Sequence, residues 1–128
     1  MPHVTLDHSE DLDSVADTRR VFERIHRILV DVAGAGPSNV KSRKLVSTDS
    51  FVGSGDPTNA FIHLDVRLME GRSETTKRDV STACLAVLVE EYQVESSPRN
   101  IQVTVDVTDL DRETYAKHPS GTIPAGYE

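Results

Sequence analysis

The sequence has little cysteine, few aromatics, no excess of positive charge and no long apolar run, and each shortage excludes something. A single cysteine, Cys84, among 128 residues rules out an intrachain disulfide and leaves any thiolate-based zinc site without a second sulfur ligand. It stands within VSTACLAVLVE, where a small buried hydrophobe is the expected role, so no catalytic one is assigned to it. Acidic residues number 21 against 14 Lys and Arg, a net charge of −7. That balance opposes the phosphate neutralisation on which nucleic-acid affinity rests, so no nucleic-acid partner is expected. No stretch approaches the ~20 apolar residues of a membrane span. The opening MPHVTLDHSEDLD has neither the basic start nor the apolar middle of a signal peptide, which makes the cytoplasm the expected compartment. What remains, 37% hydrophobic and 27% charged, is the make-up of one globular domain over residues 1–128.

Periodicity divides that domain into six elements. Val4 and Leu6 alternate with His3, Thr5 and Asp7, which predicts a first strand over Pro2 to Asp7. Ser14 offers an N-cap for a helix carrying Val21, Phe22, Ile25, Ile28, Leu29 and Val32 at helical spacing. Gly34-Ala35-Gly36-Pro37 stops it, because glycine takes the left-handed cap conformation and proline cannot continue the ladder. A second strand is predicted over about Asn39 to Phe51, and after the turn cluster Gly53 to Pro57 the run FIHLDVRLM alternates cleanly as a third. Ser73 caps a second helix with Val80, Ala83, Cys84, Val87 and Leu88 on its rows, ended by Ser96-Ser97-Pro98. Ile101, Val103, Val105 and Val107 mark the last strand, DRETYAKH allows one helical turn, and the tail from about 120 to 128 is expected to be flexible.

The order β-α-β-β-α-β reads as a doubled β-α-β unit, an α+β domain with a four-stranded sheet and both helices on one face. The uncovered face is expected to keep residues such as Val or Leu, and oligomerisation is the simplest cover for it. The five histidines form no HxH or HxxxH pair, so no metal is expected; GSGDP lies between two strands and opens no helix, so no nucleotide cofactor is expected either.

Three segments carry a resemblance. MPHVTLD, NVKSRKLVSTDSF and above all AFIHLDVRLMEGRSETTKR resemble the 5-carboxymethyl-2-hydroxymuconate isomerase family of the tautomerase superfamily, and LMEGRS is also similar to the start of the smaller 4-oxalocrotonate tautomerases. The likeness runs to about Pro119. It implies a trimer of doubled β-α-β units with active sites between subunits, and removal of Met1 so that Pro2 becomes a free secondary amine. It further implies a cofactor-independent isomerase for a small anionic carboxylate substrate, with a place in aromatic-compound breakdown.

Such chemistry moves a proton along a conjugated 2-oxo or 2-hydroxy dienoate, and needs a base that is neutral near pH 7. An ordinary α-amino group titrates at about 7.7–8.0, so cations and an apolar wall need depress it only modestly. Pro2 is the base by resemblance; the residues alone favour the plainer role of a proline that starts an edge strand. Arg72, at the mouth of the second helix, matches the family's carboxylate-binding arginine, against the plainer role of a solvated turn residue. In VKSRK the family's second functional arginine falls on Lys41, with Arg43 two residues on and on the same strand face. Lysine lacks the planar fork, so a functional Lys41 implies altered affinity or substrate choice. The alternative function is a trimeric small-ligand or protein-binding relative that keeps the fold without efficient turnover.

Overall fold

The computed structural model describes residues 2–121. Its elements are β1 (His3–Ser9), α1 (Thr18–Asp31), β2 (Lys41–Ser47), β3 (Asn59–Met69), α2 (Glu74–Glu91) and β4 (Asn100–Leu110), with short 3₁₀ turns before α1, before β2 and after α2. The sheet order is β2-β1-β3-β4. β1 runs parallel to β2 and β3 parallel to β4, while β1 and β3 meet antiparallel at the centre. The doubled β-α-β plan expected from the sequence is the plan found.

Alternation decides which side each residue serves. Val4, Leu6, Ala60, Ile62, Leu64, Val66 and Leu68 are fully buried under the helices, against Val21, Ile25 and Leu29 of α1 and Val80, Cys84 and Leu88 of α2. Burial pushes the Cys84 thiol up to about 12, so it stays an inert thiol.

The other face is mostly polar but keeps a few apolar residues, Leu45 and Leu110 among them. It carries His3, Thr5 and Asp7 of β1, Lys41 and Arg43 of β2, His63, Asp65 and Arg67 of β3, and Thr104 and Asp106 of β4. Among the described residues, its apolar members are Leu45, Phe61 and the end pair Met69 and Leu110. The helix face takes the aliphatic set of each strand, and a period of two leaves the polar set to the other side.

Element ends shift for identifiable reasons. The cap of α1 is Asp17 and not Ser14: its carboxylate accepts from the amides of Arg19 and Arg20 at 3.1 and 3.5 Å. Residues Glu10–Leu12 form a 3₁₀ turn that buries Leu12, which spends the intervening residues on a connection. β2 is shorter than Asn39 to Phe51, because Pro37–Asn39 is a 3₁₀ turn and because its partner β1 ends where Ser9 faces Ser47. α2 stops at Glu91, with Gln93 in the left-handed region at φ 52°, before Ser96 is reached. Two expected signals stand where they were read. Gly34 takes φ +70° beyond α1, and the Ser73 side chain accepts from the Thr76 amide at 3.1 Å. The flexible tail expected from about 120 falls mostly on 122–128, outside the described residues, as does Met1.

Candidate active site

The topology brings four chain positions to one end of the sheet: the start of β1, the start of β2, the end of β3 and the end of β4. His3 pairs with Lys41 on one side and with Arg67 on the other, so Pro2 enters the sheet between two basic positions. Pro2 is buried, and its carbonyl accepts from the Lys41 amide at 3.1 Å. β1 is an interior strand, so the edge-strand explanation of this proline does not apply.

Lys41 and Arg43 do share the open face. Lys41 Nζ donates to the Asn39 carbonyl at 2.9 Å, and burial, with the charges of Lys117 and Arg43, holds its ammonium below the ordinary lysine range. Asn39 is itself buried and accepts at Oδ1 from Lys117 Nζ at 2.9 Å, so a residue far along the chain joins the cluster. Arg43 Nη2 lies 3.3 Å from His3 Nδ1, and His3 Nε2 lies 2.9 Å from the Tyr115 hydroxyl. Burial first, then Arg43, Lys41 and Arg67, keep the His3 imidazole below the ordinary 6.5.

Arg72 is at the same end but is not idle. Nε donates to the Ala33 carbonyl at 2.7 Å and Nη1 to the Met69 carbonyl at 3.0 Å, which ties the end of α1 to the end of β3. Its remaining nitrogen, Nη2, is the one left for a ligand. Lys41, Arg43, Arg67 and Arg72 make no ion pair with a carboxylate of the described residues. In a chain of net charge −7, four cations without a paired acid among the described residues gather at one end of the sheet, an arrangement suited to an anion.

Sequence reasoning missed Asn39, Lys117, His3, Tyr115 and Arg67. The alternation of FIHLDVRLM puts Arg67 on the open face, so that one was readable. Tyr115 was not, because its contact with His3 spans 112 positions. It arrives through a local device: Asp111 closes a turn by accepting from the Tyr115 amide at 3.1 Å, and Arg112 is held by Glu70, its amide on the carboxylate at 2.8 Å. Among the described residues no three His, Cys, Asp or Glu side chains come together in a metal-ligating group.

Comparison with known proteins points the same way. Among solved structures, a 5-carboxymethyl-2-hydroxymuconate isomerase from Deinococcus radiodurans R1 superposes with a TM-score of 0.83 at 20% identity, covering 93% of this chain and 90% of that one. A 5-carboxymethyl-2-hydroxymuconate delta-isomerase superposes at 0.76 with 18% identity, covering 94% and 89%. A fused 4-OT wild-type symmetric trimer superposes at 0.66 with 14% identity, covering 87% and 88%. At these identities the likeness establishes the fold. No curated protein matches the sequence. The profile of the 5-carboxymethyl-2-hydroxymuconate isomerase family, however, matches residues 2–121, all that the structure describes, and the chain therefore belongs to that family of isomerases in the tautomerase superfamily.

Proposed function

We propose that the protein moves a proton within a small carboxylated enol or dienoate, 5-carboxymethyl-2-hydroxymuconate being the substrate that its family name suggests. Pro2, freed of Met1, is the general base. The observation that carries this reading is a buried proline, at the start of an interior strand, beside positions Lys41 and Arg67 and near cations that pair with no acid among the described residues. A positive neighbourhood and a desolvating wall both disfavour a protonated amine, and so favour the form that can act as a base.

The proton balance closes without a cofactor. The neutral amine takes a proton from the substrate, leaving a dienolate whose negative charge spreads onto oxygen. The protonated amine then returns the proton to another atom of the conjugated system. Lys41, Arg43 and Arg72 hold the carboxylate and stabilise the oxyanion as charge develops. We infer also a homotrimer working in the cytoplasm, in keeping with the symmetric trimer among its structural relatives. The test is the pH profile of kcat/KM on the enol of phenylpyruvate. It should rise with pH through one ionisation at or below about 8, since that ratio reports the free enzyme and the protonated amine is inactive. A flat profile between pH 5 and 9 would remove the amine base.

A further inference from the structure

The proposed chemistry leaves His3 and Tyr115 without a task, and their geometry supplies one. Arginine carries only N–H donors, so His3 Nδ1, 3.3 Å from Arg43 Nη2, must present its lone pair. A neutral imidazole then bears its hydrogen on Nε2, 2.9 Å from Tyr115 Oη. Nε2–H donates to Oη, and a phenol oxygen that accepts there still has its own hydrogen to give. Among the described residues Tyr115 Oη has no second hydrogen-bond partner, and the ring is half-buried. The charged side chains that act on His3, namely Arg43, Lys41 and Arg67, offer donors only. An anion bound at this end would bring an acceptor for that hydrogen. Burial and then the same cations favour the neutral His3 ring, as this tautomer requires.

We propose that Tyr115 donates its hydroxyl hydrogen to an oxygen of the bound carboxylated enol, and that Arg43 and His3 are the positioning pair that leaves that hydrogen free. The inference rests on the reading of the Pro2 end as the site. It adds a neutral donor to a set of cations, and a neutral donor can follow charge that moves from carboxylate to enolate oxygen without holding the carboxylate harder in the ground state.

Three measurements on the full chain decide it. Histidine ring ¹⁵N shifts of the wild type at pH 7.5 should show His3 as the Nε2–H tautomer. Tyr115→Phe, with the enol of phenylpyruvate, should lower kcat/KM about ten- to a hundredfold, chiefly in kcat, and weaken calorimetric binding of adipate by less. His3→Gln can still accept from Arg43 and donate to Tyr115, and should keep the rate within about threefold, whereas His3→Leu should fall as far as Tyr115→Phe, with the double variant no lower. An Nδ1–H tautomer, or an active wild type whose Tyr115→Phe variant is unchanged within about twofold, overturns this inference and leaves the Pro2 site standing. A wild type that neither ketonises the enol nor binds adipate overturns both.

Discussion

Arg72 has two claims on its guanidinium, and they predict different losses. Its Nε and Nη1 hold the carbonyls of Ala33 and Met69, at 2.7 and 3.0 Å, which joins the end of α1 to the end of β3. Its Nη2 is left for the substrate carboxylate proposed above. Arg72→Ala should therefore lower kcat/KM about ten- to a hundredfold, the worth of a charge-assisted hydrogen bond of about 1.5–3 kcal/mol, and lower the melting temperature as well, because two carbonyls lose their donor. Arg72→Lys should recover only part, since an ammonium cannot span both carbonyls and a ligand. Kinetics at 25 °C beside a thermal melt separate the two roles. Reduced stability with unchanged kcat/KM would leave Arg72 as a brace alone. The GRS triplet gave the position of this arginine but not its carbonyl ties, which depend on where α1 ends in space. Lys41 and Arg43 were readable as a pair because i and i+2 share a strand face, while the partner that each one engages, Asn39 or His3, depends on folding.

The elements were legible where a local rule acts alone. FIHLDVRLM alternates, Ser73 caps, and Gly34 with Pro37 stops a helix, so β3, the start of α2 and the end of α1 stand where the sequence put them. Ends set by a neighbour were not: β2 stops when β1 runs out of pairing, and Asp17 takes the cap from Ser14 because Leu12 buries first. Between the helices, Arg24 Nη1 reaches the Glu91 carboxylate at 2.6 Å and Arg20 reaches it from one turn earlier, an arrangement that no single-helix pattern reveals. Burial works against the ionised form of Glu91, but the hydrogen bonds from Arg24 and Arg20 prevail and hold its carboxyl below the ordinary range. A carboxyl depressed on folding contributes stability above its unfolded value of about 4.3, and that contribution is lost as pH falls through the folded value. Glu91→Gln should thus cost about 1 kcal/mol at pH 7, ~3–5 °C in melting temperature. Melts repeated at falling pH should show the gap to wild type closing below pH ~4. A gap that persists in acid would assign the loss to packing.

Over the whole molecule, charge is sorted: an acidic chain gathers cations without paired acids at the Pro2 end of its sheet. The open sheet face is mostly polar, with Leu45 and Leu110 among its few apolar members, so an assembly that covers it would place many polar side chains against one another or around water. The trimer proposed above is in keeping with the symmetric trimers among its structural relatives, and sedimentation at micromolar concentration should give three times the chain mass. A monomer that remains active would show that the site needs no second subunit. The central claim, that Pro2 works as a free amine, is tested most directly by a chain with one residue fused ahead of Pro2, verified by intact mass and assayed beside the Met1-free protein on the enol of phenylpyruvate. The fusion turns the amine into an amide with no basic lone pair and leaves Lys41, Arg43 and Arg72 in place. Activity should fall by about 10²–10⁴, the usual range for a general base, with the oligomeric state unchanged. Full activity in the extended chain would contradict the proline mechanism and favour a binding role for this fold.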